Sequence, residues 1–261
     1  MNYSFYAKTD RGRVRLGNED CVAFDAAARL CIVADGMGGH KAGEIASSLA
    51  VTSIRAELGP WLLQAGKDPS TQAIKDAMEL AVLNVNRAIF RASLANPSHS
   101  GMGTTLVLGV FRRARLVLGH IGDSRCYRWR NNELVQLTKD HSLMQEQIDA
   151  GWLTPEQAAQ APGKNLITRA LGIGHAVALE IHEHTVEAGD LYLMCSDGLS
   201  NMVNDTVMAQ VLRGGAALPQ IAAELVSRAN DLGGQDNITV MLTQTTVAGS
   251  KLGMVSRLFD K

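Results

Sequence analysis

Four aspartates stand where apolar segments of this 261-residue chain begin or end, each followed by a glycine or a small polar residue: Asp35, Asp123, Asp197 and Asp236. Each one alone is explained by a turn, since aspartate is common in turns. Strand ends of a packed sheet share one rim, however, so the four carboxylates can converge there. Such a cluster repels itself unless cations are present. With two divalent ions about 3.5–4 Å apart it would be a hydrolytic centre, and all-oxygen ligands favour Mg²⁺ or Mn²⁺ over zinc.

The segment around Asp35 has the pattern of a strand, a tight loop and a helix. The apolar run Leu30–Ala34 stops at Asp35, glycines occupy positions 36, 38, 39 and 43, and helical spacing begins at Glu44. A dinucleotide-binding loop needs Gly-x-Gly-x-x-Gly, which fails because the third position is Lys41, and a P-loop fails because Gly-Lys-Ser/Thr is missing. A plain turn remains one interpretation. The other is a metal site in which Asp35 and a freed backbone carbonyl supply oxygen ligands.

Composition limits the classes of protein to which the chain can belong. Hydrophobic residues make up 46% and the net charge is −1, so no basic excess indicates nucleic acid or an anionic membrane as a partner. Residues 1–10 lack the apolar core of a signal peptide, and no apolar run approaches the roughly 20 residues that span a bilayer. The four cysteines are scattered, which predicts reduced thiols in a cytoplasmic protein. The near-neutral charge favours a monomer.

Hydrophobic periodicity and turn signals predict strands and helices in alternation, with short links that make neighbouring strands antiparallel. The predicted strands lie at residues 3–8, 21–25, 30–35, 103–111, 115–121, 126–130, 133–137, 178–184 and 191–195, and a last one follows Asp236. The predicted helices lie at residues 43–58, 70–93, 142–150, 205–213 and 218–231. Gly59 and Pro60 are expected to end the first of these helices. Asp68-Pro-Ser70 is expected to start the second, and Asn131-Asn132 to form a hairpin turn.

The stretch from about residue 139 to residue 172 differs in character and is expected to form a flap on the surface. Thr154–Pro155 would begin a further helix within it. His120, in an apolar strand, is expected to be an interior histidine. His182 and His184 alternate along a predicted strand and are expected to lie on an exposed face.

Seven short blocks occur in order along residues 3–245. They are Arg15-x-x-Asn-Glu-Asp20, Val33-Ala-Asp-Gly-Met-Gly-Gly-His40 with Gly43-Glu44, Gly103-Thr-Thr105, Gly122-Asp-Ser-Arg125, Ile167-Thr-Arg-Ala-Leu-Gly172, Ser196-Asp-Gly198 and Asp236-Asn-Ile-Thr239. One block is a weak signal, whereas seven in register are specific. With these blocks the chain resembles the type 2C, metal-dependent (PPM) protein Ser/Thr phosphatases. The Met-Gly-Gly-His form is similar to that of the bacterial branch.

The resemblance implies an α+β fold. This would be a four-layer α-β-β-α sandwich, with two antiparallel β-sheets flanked by helix pairs and a small flap subdomain. The phosphatase domain would span residues 3–245, with the flap at about 139–172. Residues 248–261 would form a C-terminal tail.

The resemblance also implies which residues bind metal. Asp35 would bridge two ions and Gly36 would contribute its backbone carbonyl, while Asp197 and Asp236 would complete the pair. Asp123, together with Asp197, would hold a third and weaker ion. Two or three Mn²⁺ or Mg²⁺ ions are therefore the implied cofactors.

Further residues are implied to support the chemistry. Glu19 and Asp20 would act through metal-bound waters, and Arg15 would grip the substrate phosphate, to which a guanidinium can bind bidentately. Eukaryotic relatives carry a histidine directly after the Asp-Gly pair, where this chain has Met37. His40 lies nearby in sequence and is one candidate for the general acid; a metal-bound water is the other.

These roles imply hydrolysis of phosphoserine and phosphothreonine by attack of a metal-bridging hydroxide. Bacterial relatives reverse phosphorylation by eukaryotic-like Ser/Thr kinases, so the expected partners are phosphorylated proteins, namely such a kinase and its substrates. Two alternatives stay open. One is a phosphatase that acts on an anti-sigma-factor antagonist, and the other is a non-catalytic phosphoprotein-binding module of the same fold. Loss of a core aspartate would favour the binding module, and all four aspartates are present.

Overall fold

The computed structural model describes residues 1–38, 42–66, 68–154, 157–158 and 166–247. Within these ranges eleven strands form two antiparallel sheets. The strands are β1 (Asn2–Asp10), β2 (Asp20–Asp25), β3 (Leu30–Met37), β4 (Gly103–Thr104), β5 (Leu106–Arg112), β6 (Arg115–Ile121), β7 (Arg125–Arg130), β8 (Glu133–Gln136), β9 (Glu180–Thr185), β10 (Leu191–Cys195) and β11 (Ile238–Thr246). The first sheet has the order β1-β11-β10-β7-β8, and the second has the order β2-β3-β5-β6-β9, with β4 paired to β3.

Six α-helices lie in the described ranges, and the four longest cover the outer faces of the two sheets. The six are α1 (Ala42–Gln64), α2 (Thr71–Ala95), α3 (Leu143–Asp149), α4 (Asp197–Ser200), α5 (Asp205–Arg213) and α6 (Leu218–Asp231). Ile54 and Met78 belong to a core between α1, α2 and the second sheet, and Leu225 to a core between α5, α6 and the first sheet. Phe111 and Tyr192 belong to a third core, between the sheets. The predicted four-layer α-β-β-α sandwich is confirmed.

Strand β3 shows why the apolar run before Asp35 is continuous. Leu30 and Ile32 pack in the core beneath the helices, whereas Cys31 and Val33 pack in the core between the sheets. Successive side chains of a strand point to opposite faces. Both faces are buried here, so every position is apolar until the strand reaches Asp35 at the rim of the sandwich.

The predicted end of the first helix is wrong. Helix α1 continues through Gly59 and Pro60 and ends at Gln64. A proline inside a helix removes one backbone hydrogen bond. Leu58 and Leu62, which flank the proline and are each 1% exposed, provide apolar burial that offsets this loss.

Other local predictions hold. Ser70 caps α2, with its side chain accepting from Ala73 N. Asn131 and Asn132 both have positive φ, at 52° and 64°, as a tight hairpin turn between β7 and β8 requires. The helices expected at 205–213 and 218–231 have those bounds.

The flap is described in part. Helix α3 is capped by Ser142, and the Thr154 hydroxyl accepts from Gln157 N (3.3 Å), as expected of a helix start. Pro155 and residues 159–165 lie outside the described residues, as does the tail at 248–261. No helix in the described ranges combines the length and apolar character that a membrane crossing needs.

Candidate active site

Asp35 lies near the end of β3, and its backbone is held from both sides. Asp20 on β2 stands opposite it in the antiparallel register. Thr105 donates its N–H to Asp35 O (2.9 Å), and its hydroxyl accepts from Asp35 N (3.0 Å). Thr104 adds a hydroxyl bond to the same carbonyl (2.8 Å). The strand predicted at 103–111 is therefore divided into β4 and β5 at Thr105, which is bonded to Asp35 instead.

Two glycines let the start of α1 approach β3. A side-chain carbon on Gly36 would overlap the carbonyl oxygen of Gly43, and one on Gly43 would lie 2.7 Å from the carbonyl carbon of Gly36. Only glycine allows backbones this close. The carbonyl of Glu19 accepts from Gly36 N (3.1 Å) and from the Ser47 hydroxyl on α1 (2.6 Å). These contacts join the loop before β2, the end of β3 and helix α1.

Asp197 and Asp236 come from the first sheet. Asp197 is the first residue of α4 and lies two residues after the end of β10, and Asp236 lies two residues before β11. A side-chain carbon on Gly198 would overlap the carbonyl oxygen of Asn237 and would lie 3.4 Å from Cβ of Asp236. The absence of a side chain at Gly198 thus brings the two aspartate segments together. Asn201 Nδ2 donates to Asp197 Oδ2 (3.0 Å) and orients that carboxylate.

Asp123 lies in the turn between β6 and β7, where the chain passes from the second sheet to the first. Gly122 before it has φ +98°, and the side chain of Thr105 occupies the space that a Cβ would need. The hydroxyls of Thr105 and Ser124 are hydrogen-bonded at 2.8 Å. Thr105 therefore contacts both the segment of Asp35 and that of Asp123.

Burial and mutual repulsion raise the pKa values of the carboxylates of the centre. Burial, followed by repulsion, holds the pKa of Asp35 well above its ordinary value, and the repelling groups are Asp20, Asp197, Asp123 and Asp236. Burial and the charge of Asp197 raise the pKa of Asp123 to about 7. Burial, opposed by hydroxyl hydrogen bonds, raises that of Asp20 to about 6. Burial and then Asp236 raise the pKa of Asp197.

A divalent cation fits this group of oxygens. Asp20 Oδ2 accepts from the Ser196 hydroxyl (2.7 Å), but its buried Oδ1 has no hydrogen-bond partner among the described residues. A buried polar atom without a partner is costly, and a cation or its bound water would satisfy it. Added positive charge would also relieve the carboxylate repulsion that raises the pKa values. Since the donors are all oxygens, Mg²⁺ and Mn²⁺ are the ions that suit them.

Arg15 lies at the rim of this centre. Its Nη2 donates to Asp236 Oδ2 (2.7 Å), while its side chain is 53% exposed, so the guanidinium keeps a free edge towards solvent. Asn237 holds the loop that carries Arg15, because its Oδ1 accepts from Glu19 N (2.7 Å) and its Nδ2 donates to two loop carbonyls (2.9 Å each). Burial raises the pKa of Glu19, while nearby Arg15 lowers it and Asp236 raises it.

Sequence reasoning missed the residues whose hydrogen bonds position the segments of the site. Thr105, Ser196 and Asn237 make the bonds described above. Arg125 forms a two-pronged pair with Asp140 at the start of the flap, with Nε–Oδ1 at 3.0 Å and Nη2–Oδ2 at 2.7 Å. All of them except Asp140 stand inside one of the seven sequence blocks, which is the signal that could have found them.

The candidate general acid has no described position, because His40 lies outside the described residues. Met37, the residue that follows the Asp-Gly pair, is half-buried at the end of β3.

Comparison with known proteins agrees with this geometry. A family described as Protein phosphatase 2C matches residues 13–243. The serine/threonine phosphatase stp of Listeria monocytogenes is 38% identical over 244 residues, which cover 91% of this chain and 94% of that protein. The serine/threonine protein phosphatase PstP of Mycobacterium tuberculosis is 40% identical over 262 residues, which cover 95% of this chain and 48% of that protein.

Solved structures give the same result. The catalytic domain of PstP in complex with two manganese ions superposes with a TM-score of 0.82 at 39% identity, covering 94% of this chain and 99% of that one. The chain belongs to the protein phosphatase 2C family. It is a metal-dependent protein serine/threonine phosphatase, so the predicted family, fold and enzyme class are confirmed.

Proposed function

We propose that Asp35, Asp197 and Asp236, with the carbonyl of Gly36, hold two Mn²⁺ or Mg²⁺ ions, and that Asp123 with Asp197 holds a third. The observation that carries this proposal is the convergence of the four aspartates beside the unpartnered Oδ1 of Asp20. The two manganese ions named for the PstP structure support the type of metal. When bound, the ions would activate a water molecule and neutralise charge on the phosphoryl group.

The chain's own residues then have separate tasks. Arg15 binds the equatorial oxygens of the substrate phosphate with the free edge of its guanidinium, and its bond to Asp236 orients it for this. Asp20 and Glu19 would accept hydrogen bonds from waters around the ions. Ser196 holds the Asp20 carboxylate in place. His40 remains the candidate for protonating the leaving alkoxide.

The proposed substrates are proteins phosphorylated on serine or threonine by a bacterial Ser/Thr kinase. The bacterial phosphatases stp and PstP, similar over more than nine-tenths of this chain, support this substrate class. A phosphatase of an anti-sigma-factor antagonist would use the same centre with a different substrate surface. We place the phosphatase domain at residues 3–245 and propose a cytoplasmic monomer, which suits the four free cysteines.

The test is hydrolysis of a phosphothreonine peptide by the purified protein after chelation, and again after Mn²⁺ or Mg²⁺ is restored. We expect activity to return with metal and to be lost in Asp236→Asn. The matched control is Asp76→Asn, which makes the same change on the exposed face of α2 and should retain full activity. No turnover with either ion would refute the proposal and would leave the binding-module alternative. Equal activity of Asp236→Asn and the wild type would refute the assigned ligands.

A further inference from the structure

His141, at the base of the flap, binds both backbone groups of the residue that precedes Asp123. The His141 N–H donates to Gly122 O (2.9 Å), and the Gly122 N–H donates to His141 Nδ1 (3.1 Å). The side chain of His141 is only 6% exposed. One residue of the flap thus holds the turn that Thr105 also contacts.

The hydrogen bonds of His141 define its tautomer. Since Nδ1 accepts from Gly122, the ring proton is on Nε2, which donates to Glu180 Oε2 on β9 (3.1 Å). The second carboxylate oxygen of Glu180 accepts from His182 Nε2 (2.9 Å). Burial opposes ionisation of Glu180, but these two histidine bonds lower its pKa to about 2. Glu180 is therefore an ionised acceptor at neutral pH.

A second histidine keeps the ring of His141 in its plane. His120 stacks on it with ring centroids 4.6 Å apart and 14° between the planes. His120 Nε2 in turn donates to Lys139 O (2.8 Å). The predicted interior role of His120 agrees with this arrangement.

Two histidines and a glutamate this close could also be taken for a metal site, since ligand atoms of His120, His141 and Glu180 lie within 4.8 Å of one another. The contacts of these three side chains indicate a hydrogen-bonded cluster and not a metal site. Both nitrogens of His141 are already hydrogen-bonded. Arg169 places the cationic Nη1 of its guanidinium 3.4 Å from His141 Nε2, where a bound metal ion would be repelled.

We propose that His141, oriented by Glu180, is a positioning residue that fixes the Gly122 backbone and thereby aims the Asp123 carboxylate at the third ion. This inference rests on the proposed role of Asp123. The carbonyl of His141 also accepts from Thr168 N at the far end of the flap (2.8 Å). The turn that carries Asp123 is thus connected to the base of the flap.

Two substitutions of His141 test its two ring nitrogens one at a time. His141→Gln places an amide near the position of Nε2, which keeps a donor for Glu180 but loses the acceptor for Gly122. His141→Asn places an amide oxygen near the position of Nδ1, which keeps the acceptor but loses Glu180. The control is His182→Gln, because His182 also bonds to Glu180 but does not contact Gly122.

The experiment is a Mn²⁺ titration followed by electron paramagnetic resonance of the free ion, which counts bound ions without activity. We expect His141→Gln to weaken only the weakest-bound Mn²⁺, by about 10–100-fold, as for other groups that orient a metal ligand. His141→Asn should weaken it less, and His182→Gln not at all. Asp123→Asn should remove the same ion, and adding His141→Gln to it should cause no further loss.

The outcomes distinguish this inference from the proposed function. If Asp123→Asn leaves every bound Mn²⁺ unchanged, the third site itself is refuted, and with it the inference. If Asp123→Asn removes an ion but His141→Gln changes none, or weakens all of them equally, only the positioning role is refuted. In case the His141 variants do not fold, nitrogen-15 NMR of the wild-type imidazoles provides a second test. A proton on Nδ1 of His141 instead of Nε2 would overturn the proposal.

Discussion

Removing the divalent ions should make the stability of this protein fall as the pH rises from 5 to 8. In the folded chain without ions, burial and the charge of Asp197 raise the pKa of Asp123 to about 7, from an ordinary value of 3.8. The folded state therefore keeps this proton up to about pH 7, whereas the unfolded chain releases it near pH 4. The stability due to this proton is complete below the unfolded value and is lost as pH rises through the folded one.

The magnitude follows from the two pKa values. Integrated between pH 5 and pH 8, the difference lowers the free energy of unfolding by about 3 kcal/mol. For a domain of this size that is roughly 5–10 °C in Tm. The raised pKa of Asp20, about 6, adds an effect of the same sign.

Urea unfolding of the chelated protein at pH 5 and pH 8, for the wild type and for Asp123→Asn, measures this effect. We expect the loss of stability between the two pH values to be about 3 kcal/mol larger in the wild type. With saturating Mn²⁺ the dependence should reverse, because bound cations favour the charged carboxylates. Identical pH dependence in the wild type and the variant without ions would refute the reasoning.

Three further substitutions test the surroundings of the centre. Gly198→Ala should destabilise the protein by about 2–3 kcal/mol in urea unfolding, since the added carbon overlaps a backbone oxygen. The control is Gly17→Ala, whose added carbon meets nothing within 4 Å and should have no steric effect. Arg125→Met should lower the free energy of unfolding by about 3 kcal/mol, because it leaves the largely buried Asp140 carboxylate without its cation. An unchanged Tm would contradict this. Arg15→Lys should lower kcat/KM by about tenfold or more while the Tm is retained, because lysine cannot bind phosphate bidentately. An unchanged kcat/KM would contradict the assignment of Arg15 to phosphate binding.

The sequence predicted the elements whose signals are local. The apolar run that stops at Asp35 and the Asn131-Asn132 turn are examples, because each depends on a few adjacent residues. The end of α1 was predicted wrongly, because burial of the residues around Pro60 outweighs the local cost of the proline. The break at Thr105 could not be predicted either, since its partner Asp35 is 70 residues away in the chain.

The residues of the candidate site also fall into those that the sequence predicts and those that it does not. Aspartates at strand ends, such as Asp123 and Asp236, can be recognised from sequence because four of them recur at the ends of apolar runs and each stands inside one of the seven sequence blocks. The residues that hold them in place cannot be recognised by type. Asn237 and His141 act through bonds to backbone groups, and a backbone partner cannot be identified from the residue type. For Asn237 the sequence block that contains it is the available signal.

The pairing of the first sheet has a consequence for how the protein is made. Strand β1 is hydrogen-bonded along its length to β11, from Asn2 opposite Thr246 to Asp10 opposite Ile238. A ribosome that adds about 5–20 residues per second needs roughly 12–50 s to reach residue 246. Until then β1 lacks this neighbour, and Asp236 has only just been added. We therefore expect a chain that ends before residue 236 to lack phosphatase activity, because it lacks both the partner of β1 and one of the four aspartates of the centre.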